Sequence, residues 1–215
     1  MTKLYLDIET IPSQEPWVRD FIIDGIKPPG NIKKQESIDK WYEEKLDDAI
    51  EQAMSKTALD GAMCHVVAIG YAVNDEKPKC FFAPTHQEEK QILNDFFGVA
   101  SKLNYPTVIG HNVTGFDMKI LRQRATVLGV NTAKNLPWDA KPWEKNPYDT
   151  MEQWDSKNFI SMDKLSKAMG FEGKKDVNGS MVYDMWRSGK HKQIIDYCVD
   201  DVEQTRLIAK RMMGN

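Results

Sequence analysis

The apolar positions of this chain change period along its length, and the changes mark out its elements. Leu4, Tyr5, Leu6 and Ile8 lie in a run of strand formers from Lys3 to Ile8, which Thr10-Ile11-Pro12 halts because proline cannot donate to a ladder. From Glu36 to Met54 the residues Ile38, Trp41, Tyr42, Leu46, Ala49, Ile50 and Ala53 recur at helical spacing. Two apolar runs, His65 to Val73 and Lys79 to Ala83, flank Asn74-Asp75-Glu76-Lys77-Pro78, which is the pattern of a hairpin. A helix, a strand and a helix are predicted over Gln87–Leu103, Thr107–Gly110 and Phe116–Leu128. Asn131 to Pro147 reads as a loop and Tyr148 to Met151 as a last short strand. The rest is helical: Ser161 offers an N-cap, Lys164–Met169 runs to Gly170, Ser180–Trp186 ends near Gly189, and Lys192–Met213 closes the chain.

A strand, a hairpin, and then helices alternating with strands predict an α/β fold with one mixed sheet and helices on its faces. The 215 residues fit a single domain, 1–215, with 12–62 as a helical insertion after the first strand. With 41% hydrophobic and 28% charged residues the composition excludes collagen-like, coiled-coil and wholly disordered chains. The net charge of -3 means that any affinity for nucleic acid must be local. The predicted helix over Glu36–Glu51 adds to this, since it carries seven acids against two lysines. Cys64, Cys80 and Cys198 form no C-x-x-C and cannot all pair, which fits a reducing, cytoplasmic setting. The longest apolar run, Val66 to Val73, is far too short to span a membrane.

Three groups of polar residues carry candidate chemistry. Asp7 and Glu9 are two apart on a predicted strand, so both carboxylates leave the same face and can converge on one cation. A D-x-E arises on the order of once by chance in a chain this long, and Asp201-Val202-Glu203 is a second instance here. His111-Asn112-Val113-Thr114-Gly115-Phe116-Asp117 turns from the end of a strand into a helix whose first residues hold Asp117. An Asp there also suits the helix dipole, and His111 has no partner at metal-type spacing, so it reads as a turn or packing residue. Tyr197 and Asp201 stand one turn apart on the last helix, where a phenol and a carboxylate can address the same water or metal. Asp149, in the last predicted strand, could be a further site acid, although a turn or cap role suits it better.

In chain order these are D-x-E, N-x3-F-D and Y-x3-D, and they resemble the three exonuclease motifs of the DEDD superfamily on an RNase H-like fold. The tyrosine places the resemblance in the DEDDy branch; the DEDDh branch has histidine five residues before the last Asp, where this chain has Asp196. Cys64-His65-Val66-Val67-Ala68-Ile69, Gly110 through Asp117, and the stretch from Gly170 to Thr205 resemble predicted 3′-5′ exonucleases related to the proofreading domain of B-family DNA polymerases.

The resemblance implies that Asp7, Glu9, Asp117 and Asp201 hold two divalent ions, and oxygen ligands favour Mg²⁺ or Mn²⁺. It implies that Tyr197 orients the attacking water, its phenol being too weakly acidic for an efficient base. It further implies that Thr10 through its backbone amide, Asn112 and Phe116 touch the terminal nucleotide, Phe116 by stacking, although Phe116 suits core packing equally. From Ser156 to Lys192 eight basic residues oppose four acids, which fits a backbone-binding face with Lys174 as the phosphate contact and Lys175 beside it, although such a charge run is more often only a solvated surface. The implied activity is removal of nucleotides from the 3′ end of single-stranded DNA, with a 3′-5′ exoribonuclease, or a nucleic-acid-binding module with little activity, as the alternatives. No sequence feature reads a 2′-hydroxyl.

Overall fold

A computed structural model describes residues 2–141, 144–173 and 178–214. Among the described residues five strands form one sheet in the order β3-β2-β1-β4-β5, with β1 Lys3–Ile11 at its centre. β2 (His65–Val73) runs antiparallel to β1 and β3 (Lys79–Phe82) antiparallel to β2, so the predicted hairpin is the sheet's antiparallel edge. β4 (Thr107–Gly110) runs parallel to β1, and β5 (Tyr148–Asp149) parallel to β4.

Helices cover both faces, which is why β1 and β2 are so apolar. On one face Leu4, Leu6 and Ile8 pack with residues of α3 (Glu89–Ala100) and α4 (Asp117–Leu128). On the other, Tyr5 and Ile11 meet α8 (His191–Met213). Along α8 the buried positions Ile194, Tyr197, Cys198, Asp201, Val202, Thr205 and Ile208 recur at three and four, giving a stripe that lies along the sheet. Three shorter helices, α5 (Thr150–Trp154), α6 (Met162–Ala168) and α7 (Val182–Arg187), lead into it. Ser161 caps α6 by accepting the Lys164 N–H, as its position in the sequence suggests.

Between β1 and β2 the chain passes through α1 (Pro16–Gly25) and α2 (Gln35–Lys56), which pack on each other. The helix α1 is absent from the sequence reading because its Pro-rich surroundings hide a valid start signal, Pro16 at the first turn. Helix α2 forms as expected, yet it buries only Ile50, so its apolar spacing serves α1 and solvent more than the core. The strand β1 continues past Ile8 to Ile11, because Thr10 and Ile11 still pair with Val66 and His65 before Pro12 ends the ladder. The strand expected over Tyr148–Met151 stops at Asp149, whose side chain caps α5. Behind the sheet Glu89, fully buried, accepts Val66 N–H, His65 Nδ1 and two Arg124 N–H groups at 2.8–3.0 Å, tying β2, α3 and α4 together. Among the described residues no helix is long and apolar enough to cross a membrane, and Cys64, Cys80 and Cys198 are free thiols.

Candidate functional site

The ends of β1 and β4 lie side by side, and the polar motifs of the sequence meet there. Alternation along β1 sends Leu4, Leu6 and Ile8 to one face and Asp7 and Glu9 to the α8 face. One carboxylate oxygen from each of Asp7 and Glu9, together with Cys198 Sγ, lie within 4.8 Å of one another. Just past Glu9 the register shifts: Glu9 faces Ala68 and Thr10 faces Val66, leaving Val67 as an extra residue on β2. A bulge of this kind re-aims the side chains at a strand end. Thr10 uses its hydroxyl locally, donating to the Ala58 carbonyl at 2.7 Å.

From Gly110 the chain makes a tight turn into α4, with Asn112 at φ +62 in the left-handed region. Asp149 builds this turn: Oδ1 accepts the N–H groups of Asn112 (2.8 Å) and Met151 (3.0 Å), and Oδ2 that of Thr114 (3.0 Å). It therefore caps α5 and braces the turn at once, from behind the cleft wall. A side chain at Gly115 would put its Cβ 2.5 Å from Asn112 Oδ1, so only glycine leaves Asn112 in place. His111 Nε2 donates to the Ile160 carbonyl at 2.8 Å and Nδ1 lies 3.0 Å from Thr150 Oγ1, so the ring ties the turn to the α5–α6 connection, as a turn histidine should.

Asp117 opens α4 and accepts the Ile8 N–H at 2.9 Å. Its carboxyl, 4% exposed, is pushed up to about 8 by burial and by the charges of Asp149 and Asp201, against the pull of backbone N–H groups. Helix α8 supplies Tyr197 and Asp201 one turn apart, 9% and 3% exposed and hydrogen-bonded to each other. Burial, then the charges of Glu9, Asp201 and Asp7, raise the Tyr197 phenol far above its ordinary range. It is a neutral donor at any working pH.

Asp7, Glu9, Asn112, Phe116, Asp117, Tyr197 and Asp201 all line one open cleft of about 400 Å³. A second cavity of about 580 Å³ shares Ile8, Glu9 and Phe116 with it, and there lie Thr10, Leu59 and Tyr183. Phe116 thus stands on both cavities while its flank packs on the core, so the two readings of this residue are compatible. Lys174 and Lys175 lie outside the described residues. Of the other basic residues in that segment, Lys167, Arg187 and Lys192 are exposed but ion-paired with Asp163, Asp184 and Asp196. Sequence reasoning missed Cys198 beside Asp7 and the cleft-lining Phe159, which is 77% exposed. Phe159 sits in a connection without periodicity, and no local signal marks it.

A family model described as a predicted 3′-5′ exonuclease related to the exonuclease domain of PolB matches residues 57–214, more than half of the chain. The chain belongs to that family. The matched stretch of this exonuclease family holds Asp117, Tyr197 and Asp201, while Asp7 and Glu9 precede it and join them through the pairing of β1 with β2 and β4. No curated protein matches the sequence. Among solved structures, the family B DNA polymerase from the hyperthermophilic archaeon Pyrobaculum calidifontis is similar with a TM-score of 0.63 at 18% identity, over 99% of this chain. That likeness is one of fold, the RNase H-like sheet flanked by helices. This chain spans 24% of the polymerase's length.

Proposed function

We propose that this chain is a metal-dependent 3′-5′ exonuclease that removes nucleotides from the 3′ ends of single-stranded DNA. The observation that supports the reading most is the convergence of Asp7, Glu9, Asp117, Tyr197 and Asp201, from three separate segments, on one cleft of a chain in this family.

The donor set fits divalent cations. Four carboxylates crowd a largely buried place, and Asp117 is pushed up first by its burial and then by the charges of Asp149 and Asp201. Carboxylate oxygens select hard ions, hence Mg²⁺ or Mn²⁺, with Asp7, Glu9, Asp117 and Asp201 as the ligands. Two such ions, held by Asp7, Glu9, Asp117 and Asp201, would lower the pKa of the attacking water and stabilise charge on the attacking and leaving oxygens.

The remaining residues position and select. Tyr197, held neutral, hydrogen-bonds rather than takes a proton, and so orients a water beside Asp201. Phe116 presents a ring between the two cavities, where an unpaired terminal base can stack, and Phe159 offers another on the cleft. Asn112 and the Thr10 backbone amide contact the terminal nucleotide. Lys174 contacts a phosphate. A free, unstacked end enters an open cleft of this size more readily than a paired one, which favours single strands.

The experiment is incubation with 5′-labelled single-stranded DNA and RNA, and with circular single-stranded DNA, in Mg²⁺, Mn²⁺ or EDTA. A ladder of shortened linear DNA with either ion, none in EDTA and intact circles is expected. Cutting of circles would replace the exonuclease reading by an endonuclease, and a ladder on RNA alone would move the substrate to RNA.

A further inference from the structure

Cys198 follows Tyr197 on α8 and is fully buried against the sheet. The register determines what lies under it. Asp7 on β1 pairs with Gly70 on β2, and Gly70 pairs with Cys80 on β3, so the three form one row across three strands with their side chains on one face. Gly70 is the gap in that row: a Cβ there would stand 2.7 Å from Cys198 Sγ and 3.0 Å from the Cys198 carbonyl oxygen. Because it is missing, Cys198 settles over the middle strand and touches both neighbours. Its Sγ is 3.6 Å from Asp7 Oδ2 and 3.7 Å from the Asp7 carbonyl oxygen, and Cys80 packs against the same buried cluster from the far side of the gap. Cys80 is only half-buried, so a small oxidant reaches it, whereas Cys64 is fully buried in a different part of the core.

We propose that Cys80 and Cys198 are an oxidation site: a hydroperoxide converts the two thiols to a disulfide, which draws Cys198 off Asp7 and weakens the divalent-cation site. The Cys80 sulfur attacks the peroxide, the O–O bond breaks, and an alcohol or water leaves while Cys80 becomes a sulfenic acid. Cys198 then attacks that sulfur, forming the S–S bond and releasing water. The thiols lose two electrons, the peroxide gains them, and both thiol protons end in the oxygen products. An S–S bond of about 2.05 Å is far shorter than a contact between thiols, so the two sulfurs close on each other, and the part of that movement made by Cys198 Sγ is toward β3 and away from Asp7. The consequence for nucleotide removal rests on the exonuclease reading, while the chemistry of the pair and its effect on cation binding do not.

The test treats the reduced, full-length chain with hydrogen peroxide, then maps peptides without reduction and titrates Mn²⁺ by calorimetry. The expected result is a Cys80–Cys198 cross-link and a fall in Mn²⁺ affinity of roughly ten- to hundredfold, the range seen when outer partners of metal ligands are altered, both reversed by dithiothreitol. Cys80→Ser and Cys80→Ala should bind Mn²⁺ like the reduced chain and keep that affinity after peroxide, and Cys64→Ser should respond like the parent. No cross-link, a cross-link through Cys64, unchanged affinity after cross-linking, or an equal loss in the Cys80 variants would each overturn the proposal. A chain that never shortens DNA but still shows the linked cross-link and Mn²⁺ loss would refute the exonuclease reading and leave this site standing.

Discussion

The Asp117 carboxylate accepts the backbone N–H of Ile8 at 2.9 Å, which fastens the first residue of α4 to the strand residue between Asp7 and Glu9. Two motifs separated by 109 positions in sequence are thereby held in register. Asp117 remains one of four acids around a single cleft.

Removing any of those acids should abolish most turnover and leave the fold intact. Asp7→Ala, Glu9→Ala, Asp117→Ala and Asp201→Ala are expected to lower kcat by at least about 10²-fold, since each ion supplies several kcal/mol of charge stabilisation. Circular dichroism should be unchanged, and metal-free stability should hold or rise in the Asp7, Glu9 and Asp201 variants as repulsion is relieved, while Asp117→Ala also gives up the bond to the buried Ile8 N–H and gains less. Full activity of any one variant removes that residue from the ligand set.

Tyr197→Phe deletes a hydroxyl and little else. Hydrolysis should slow by about 10²-fold, the scale of a single positioned group, and kcat should fall by more than Mn²⁺ affinity does through the lost hydrogen bond to Asp201. Unaltered kcat at saturating substrate would assign Tyr197 to packing.

The cleft also predicts a pH dependence of stability without cation. Asp117 is raised from 3.8 to about 8 in the folded chain, so the folded state holds a proton that the unfolded state releases at lower pH. Its contribution is complete below the unfolded value and is lost as pH rises through about 8. In EDTA, Tm should therefore fall between about pH 4 and about pH 8, less so in Asp117→Asn or with excess Mg²⁺. Parallel curves for the variant and the parent in EDTA would show that Asp117 carries no such effect.

Away from the cleft, Glu89 is the residue whose loss should cost most. Burial alone would raise its carboxyl, but the hydrogen bonds from His65 and Arg124 and the Arg124 charge outweigh it and hold the group below its ordinary range. Glu89→Gln leaves the buried Arg124 guanidinium without its countercharge, at about 3–5 kcal/mol. Chemical denaturation should show this loss at neutral pH, and a change under about 1 kcal/mol would mean that Arg124 finds water instead.

Much of this protein is legible along the chain. Alternation and helical spacing mark β1, the β2–β3 hairpin, β4, α4 and α8, because an element that buries one face must repeat its apolar residues at its own period. The motif residues of the cleft were also visible, since Asp7 with Glu9, and Tyr197 with Asp201, are neighbours on their own elements by the geometry of a strand and a helix. The sequence of α1 gave too weak a pattern, with one buried residue and a proline that reads as a breaker. Only the tertiary structure decided what faces what. The contact of Cys198 with Asp7 and Cys80 depends on a register across three strands and on the absence of a side chain at Gly70. Asp149 reads locally as a cap, yet its second oxygen holds a turn 35 residues away. Such pairings are set by where whole elements pack, and the free energy that fixes them is spread over the core and leaves no local trace in the order of residues.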